Sequence, residues 1–425
     1  MARSGILAYP AFVRLWIADT VSWLGTFASG LAMQLLLIET LDADQSALGV
    51  VRAAQWLPAL AFGLLAGVLV DRVRRRPVLI AADTVSAVLF GLIGALALTG
   101  KLTIPLLVVL VFVVGTASVF FNAAHQSFLP RVVPTRMLPV ANARIEQAMA
   151  AAESAGPLVA GSLVRFLSAP IAVLVNAVSY AASAVLLCTI RVAEPTPRRH
   201  PDRRLWRELK EGAGWVYRHR TLAPYAVALH MWFFFNSAIM TIFVFFAVEE
   251  LGLDPLTVGL VLACAGMTGV VGAGLAPRAA ERFGLGVVCV FSDWLTPVAF
   301  LLVLLAQPGP AGTVLLVLGQ LVYGLGAGLK GPLDLSYRNA VTPDRLRARM
   351  NATIRSFNWG SIAVSAPLAG WFAATWGNRP VIAIGIGGLV AAALVLTLSP
   401  FRTVTMPEVD ADGIPGRARL STGGT

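Results

Sequence analysis

Glu146 and Glu153 sit two helical turns apart in a stretch dominated by alanine and other small residues, and Asp19, Asp83 and Asp293 each interrupt a comparably apolar run. A charged side chain in the middle of a membrane helix costs about 3 kcal/mol even on insertion scales. A carboxyl group there resists ionisation and can take up and release a proton near neutral pH. Protonation removes the burial cost and biases the surrounding helices toward one of two arrangements. Glu153 is the first proton-coupling candidate, because it lies deep in its span beside Gly156 and Pro157, and Asp19 is the second. Glu146 fits better as a gate or structural ion pair. Asp83 and Asp293 recur in corresponding positions and read as structural groups near the inner ends of helices. Asn122, His125 and Gln126 read as caps or interface groups closing the fourth span.

The elements that must hold these groups are membrane helices. The chain of 425 residues is 57% hydrophobic and only 13% charged, with a mean hydropathy of +0.77, outside the range of soluble domains. Apolar runs of about twenty residues, each long enough to cross the hydrocarbon core, recur along the whole length. Twelve spans are expected, from 15–38 to 380–399, with the fourth at 104–124, the fifth at 142–167 and the tenth at 313–330. The net charge of +11 does not point to nucleic acid, because the basic residues lie between apolar spans and form no aromatic-interleaved domain. Cys188, Cys264 and Cys289 fall inside spans, without metal-ligand spacing or a disulfide framework. The first run is followed at once by a second and has no small-residue cleavage site, so it does not read as a cleaved signal.

An even number of spans puts both termini on one side. On this topology all of the 33 Lys and Arg residues except Arg52, Lys101, Arg165 and Arg379 fall on that side. The positive-inside bias therefore places both termini in the cytoplasm. Four arginines, Arg72, Arg74, Arg75 and Arg76, crowd the turn after the second span, directly behind Asp71.

The chain also repeats. Pro134, Arg136, Asn142, Ala143 and Ile145 match Pro343, Arg345, Asn351, Ala352 and Ile354 at one constant offset, which Gly161 and Gly370 keep. Two six-helix halves of one ancestral type account for this. The expected organisation is an N-terminal bundle over 1–190, a connector over 191–220, a C-terminal bundle over 221–400 and a disordered cytoplasmic tail over 401–425. In the connector, Leu205, Leu209, Gly212 and Val216 recur at helical spacing among arginines, the pattern of a basic helix lying on the inner leaflet.

Several motifs together resemble the major facilitator transporters. They are GVLVDRVRRRP at 67–77, FVRLWIADTVSWLG in the first span, the LP and ANA signals before the fifth, and LWRELKEG before the seventh. The resemblance is strongest to the exporter branch that includes macrolide-efflux and enterobactin-export proteins. It implies two six-helix bundles that open alternately to each side. It also implies a cytoplasmic gate loop built from Gly67, Asp71, Arg72, Arg75 and Arg76, with Asn351, Arg355 and Glu146 as gate partners. Gly156, Pro157 and Gly161 resemble the helix 5 motif of proton-coupled antiporters, with Ala152 where that motif has a further glycine. The Arg and Gln-Gly motif typical of the fourth helix in such antiporters is absent from 104–124.

The reading that follows is an all-α integral membrane protein of the major facilitator fold, exporting lipophilic, macrolide- or drug-like molecules in exchange for protons. Trp23, Trp232, Asn236, Tyr323 and Trp359 are the substrate-cavity candidates. Siderophore or metabolite export and lysophospholipid flipping remain alternatives on the same fold, and a non-transporting membrane sensor is the alternative of another class. No enzymatic activity, cofactor, metal or nucleic-acid partner is expected. The expected setting is a bacterial plasma membrane, with lipid, protons and a small-molecule substrate as partners and one chain as the complete unit. Asp71→Asn at normal protein level is expected to slow transport severely by breaking the gate contact; unchanged transport would remove Asp71 from that role.

Overall fold

The structure, a computed structural model, describes residues 5–192, 194 and 205–406, without the side chains of Leu64, Val68, Asp71 and residues 205–209. Its first six long helices are α1 (Pro10–Leu35), α2 (Gln45–Asp71), α3 (Arg75–Leu98), α4 (Ile104–Val132), α5 (Leu138–Phe166) and α6 (Ala169–Thr189). A short helix, α7 (Leu205–Arg218), precedes α8 (Leu222–Phe245), α9 (Pro255–Phe283), α10 (Leu285–Leu305), α11 (Pro310–Val341), α12 (Asp344–Trp376) and α13 (Asn378–Leu398). All but α7 are long enough to cross about 30 Å of hydrocarbon at 1.5 Å per residue. Nine of the described helices are also apolar enough to do so by composition. α2, whose side chains are not all described, is not among the nine, nor are α5, which carries Glu146 and Glu153, and α12, which carries Arg345, Arg347, Arg349 and Arg355.

Helices run past the spans that hydropathy marks. α4 continues to Val132 and α11 to Val341, so residues expected in loops are helical. Hydropathy stops at the first polar residues, whereas backbone hydrogen bonding continues as long as the turn is supported.

The repeat is visible in local structure. α1 closes in a π-turn at Leu36–Thr40 and α8 in one at Phe246–Glu250. Leu41 and Ala43 donate backbone bonds to Leu36 and Leu37 at 3.1 and 2.9 Å; Leu251 and Leu253 do the same to Phe246 and Ala247 at 3.2 and 3.0 Å. The next helix is then capped by an Asp in both places. Asp44 accepts from the Ala47 amide at 2.9 Å, and Asp254 accepts from the Leu256 amide at 3.1 Å and the Thr257 hydroxyl at 2.6 Å.

The chain forms two compact units. The first comprises Met1–Asp202 and Thr241–Ala263, and the second Arg203–Met240 and Cys264–Thr425. These limits differ from the sequence-based division at 190 and 221. The stretch 203–220 groups with the second unit, and the segment from the end of α8 into α9 groups with the first. Within the first unit the reason is a close backbone crossing, since Gly161 of α5 and Gly259 of α9 each leave no room for a Cβ against the other helix. In the same unit α1 packs on α5 and α6, and α3 on α4 and α6, around Phe12, Leu15, Leu79, Phe128 and Leu187. In the second, α10 packs on α11 and α13, around Tyr225, Leu285, Tyr337 and Phe401. The tail expected from 401 is ordered at its start, where Pro400–Thr403 form a short helix and Phe401 is fully buried; residues from 407 onward lie outside the described residues.

α7 packs on α12. The Gly212 backbone lies against the Arg349 carbonyl, Val216 is fully buried, and Trp215 donates to the Thr342 hydroxyl at 3.2 Å. Glu211 pairs with Arg349. The apolar face read as lipid-facing is therefore occupied by protein from Gly212 onward. Behind α7, His219 Nδ1 accepts from the Thr221 and Leu222 amides, both at 3.3 Å, and caps α8. Burial lowers the pKa of this imidazole, favouring the neutral form that can accept.

At Gly156, α5 meets α1 so closely that a Cβ would lie 2.9 Å from the Ala28 backbone nitrogen. Gly156→Val is expected to destabilise the protein by about 1–3 kcal/mol, read as a lower unfolding temperature in detergent. Gly30→Ala, which meets open space, is expected to leave that temperature unchanged.

Candidate functional site

Four helices of the first unit converge on a polar cluster in an apolar core. α1 turns Asp19 inward on the stripe that also carries Leu15, Ser22 and Gly25. Asp19 is 1% exposed, and its Oδ2 lies 2.7 Å from His125 Nε2 of α4. The imidazole stacks on Phe121 at 5.8 Å and meets the edge of Trp23 at 6.3 Å. On α3, Asp83 is also 1% exposed and accepts the Ser183 hydroxyl of α6 at 2.5 Å. Asp83 interacts electrostatically with both Asp19 and His125. Asp19 Oδ1 is buried without a hydrogen-bond partner among the described residues.

The expectation that His125 is a cap or interface group is corrected here. α4 runs two turns beyond it, so His125 is interior and supplies the base for Asp19. Glu153 is not part of the cluster. The buried stripe of α5 runs through Ala141, Ile145, Ala148, Ala152 and Gly156. Glu146 and Glu153 are exposed on other faces and make no hydrogen bond or ion pair among the described residues.

The arginine-rich turn has a structural component that its letters did not disclose. Arg76 donates from Nε to the Leu187 carbonyl at 3.1 Å and from Nη2 to the Cys188 carbonyl at 2.5 Å, capping the end of α6. Glu194 returns the favour, accepting from the Arg75 and Arg76 amides at 2.6 and 2.9 Å where α3 begins. Each charge sits at the helix end whose dipole it complements. Arg72 is exposed and Gly67 has open space around it. The Asp71 side chain lies outside the described residues. Of the expected gate partners, Asn351 donates to Asn339 at 2.9 Å and Arg355 stands 5.2 Å over the Trp359 ring, both inside the second unit.

The remaining cavity candidates are also placed within that unit. Trp232 donates to the Thr296 hydroxyl at 3.2 Å, and Tyr323 packs against Phe300 at 5.6 Å. Asn236 Oδ1 is buried and has no partner among the described residues. A polar chain that sequence reasoning missed links α7, α8 and α12: Tyr217 and His230 are 2.9 Å apart, and His230 and Asn358 2.7 Å.

A second missed cluster lies in the core of this unit. Lys330 of α11 donates to Asp293 of α10 at 2.5 Å and lies 5.6 Å from the Tyr225 ring centroid. One turn further along α11, Asp334 pairs with Arg338 at 2.7 Å. Lys330, Asp334 and Arg338 are each only 12–14% exposed. Ending the tenth span at 330 hid them, although their four-residue spacing with alternating sign is a helical signal. Removing one partner of a buried pair strands the other charge. Lys330→Met alone is expected to cost about 3–5 kcal/mol, and the double variant with Asp293→Leu to recover most of it, measured by thermal unfolding.

The sequence profile described as Major Facilitator Superfamily matches residues 15–360 and 226–415. The chain is 27% identical over 410 residues to the uncharacterized MFS-type transporter y4rN of Sinorhizobium fredii, covering 93% of this chain and 96% of that one. Among solved structures it is similar to the nucleoside transporter NupG, with a TM-score of 0.75 at 15% identity, covering 91% of this chain and 98% of that one. It is similar also to a bacterial homologue of the iron transporter ferroportin, with a TM-score of 0.73 at 14% identity over 93% and 99% of the two chains. At these identities the structural likeness speaks for the fold.

Proposed function

Because the chain belongs to the Major Facilitator Superfamily, we propose that it is a secondary active transporter that exports lipophilic small molecules in exchange for protons by alternating access. The observation that carries this reading is Glu153. It is an ionisable group in a membrane helix, on a face turned away from the core of its own unit, and it has no partner among the described residues. Such a group is costly in a membrane span, and where one is kept it marks a substrate or proton pathway. Pro157 lies one turn beyond it and removes a backbone hydrogen bond, which gives α5 a place to bend. Glu153 then exchanges a proton for substrate, and Trp232, Asn236, Tyr323 and Trp359 supply an aromatic, sparsely polar surface suited to a bulky apolar molecule. With Asn236 as the one amide among these four residues, that surface argues against sugars. Asp71 and its arginines act in the cytoplasmic gate, with Arg76 also holding α3 to α6.

The test is accumulation of labelled macrolides and lipophilic dyes in efflux-deficient bacterial cells. Expression of the chain is expected to lower accumulation, a protonophore to abolish that effect, and Glu153→Gln to lose it at equal protein level. Export that survives the protonophore would remove proton coupling. Unaltered accumulation of every compound would remove lipophilic export.

A further inference from the structure

The two units carry buried charge clusters at corresponding places, but with different arithmetic. The offset that matches Pro134 with Pro343 also matches His125 with Asp334 and Phe121 with Lys330, and Asp83 corresponds to Asp293. In the second unit two carboxylates, Asp293 and Asp334, face two fixed cations, Lys330 and Arg338. Asp293 Oδ2 lacks a donor, but its charge is balanced by the amine on Oδ1. In the first unit two carboxylates, Asp19 and Asp83, share one imidazole.

The groups facing this cluster are known element by element. α4 contributes His125, α3 contributes Asp83, and α6 contributes the Ser183 hydroxyl on Asp83 and Tyr180, which interacts with Asp83 electrostatically. On α1, Arg14 is engaged with the Thr189 carbonyl at the end of α6. The charged residues of α5, Arg144, Glu146, Glu153 and Arg165, are not among the groups that act on Asp83 or His125, nor is any described side chain of α2. Even with the imidazole protonated, the cluster keeps one uncompensated negative charge, in a place where such charge is expensive. A further proton on a carboxylate closes that gap. Asp19 Oδ1, buried and without a donor, is an acceptor already in position.

We infer that Asp19, His125 and Asp83 form a buried proton-binding site, separate from Glu153, and that the second unit holds its copy with each carboxylate paired to a cation. With Nε2 on Asp19, His125 has Nδ1 free to take a proton, and the charge of this four-helix junction follows pH. In the second unit Arg338 cannot release its proton, so the matching junction always holds at least one cation. The assignment of this proton to the transport cycle rests on the proton-coupled reading above; the existence of the site does not.

Trp23, at the edge of His125, is a built-in reporter, because an imidazolium beside an indole lowers its emission. Tryptophan emission of the full chain in lipid nanodiscs is expected to show a step between about pH 5 and 8. The step is expected to persist in Glu153→Gln and Lys330→Met, to vanish in Trp23→Phe and His125→Gln, and to move to lower pH in Asp83→Asn. If His125→Gln does not fold, His125→Lys places a fixed cation beside Asp19, as Lys330 does beside Asp293, and is expected to abolish the step while keeping the fold. No step in the unmodified protein, a step that survives loss of His125, or one indifferent to Asp83→Asn would overturn the site. Because no substrate is needed, failure to export any compound leaves this result intact. A clear step combined with export that is unchanged in pH profile by His125→Lys would instead detach the site from transport.

Discussion

The hydrocarbon core of a membrane offers no water, so a polar group buried in a helix bundle is costly unless another part of the protein satisfies it. The placement of helices in each unit follows from that constraint. Asp19 is tolerable because α4 brings His125 to within 2.7 Å, and Asp83 because α6 brings Ser183. Asp293 depends in the same way on Lys330 of α11. The rule extends to helix ends, where Arg76 covers the last carbonyls of α6 while Glu194 covers the first amides of α3. Close packing at glycine makes such reach possible, since α1 and α5 approach through Gly156 nearly to backbone contact.

The repeat shows which features tolerate change. Both halves keep the π-turn that closes the first long helix and the Asp cap that starts the next. Both keep an aspartate in the third-helix position, at Asp83 and Asp293. They part in how that aspartate is balanced and toward the C-terminal end of the second helix, where Asp71 of α2 has Arg278 of α9 as its counterpart in the sequence. The scaffold is shared, and the chemistry resides where the copies differ.

Much of the site was legible as rarity. Asp19, Asp83, Asp293 and Glu153 stand out because ionisable groups are scarce in apolar runs, and the structure puts the three aspartates in protein cores. Their partners were not legible. His125, Lys330, Asp334 and Arg338 lie where hydropathy falls away, so they read as span ends, although α4 and α11 continue past them. Glu153 shows the opposite case. It looked as deep as Asp19 in the sequence, yet it lies off the buried stripe of α5. Arg76 read as part of a charged turn, and its bonds to Leu187 and Cys188 depend on α6, which lies more than a hundred residues away in the chain.

By itself the sequence determined the helical membrane class, the order of the long helices, the internal repeat and the short set of acids worth attention. These are local properties, sums of hydropathy and spacing along one stretch of chain. Tertiary structure alone decided which acid meets which base, which face of α5 carries Glu153, and that α7 lies against α12. Those outcomes depend on contacts between residues far apart in the chain, where a rotation of one helix by a single residue exchanges a buried side chain for an exposed one.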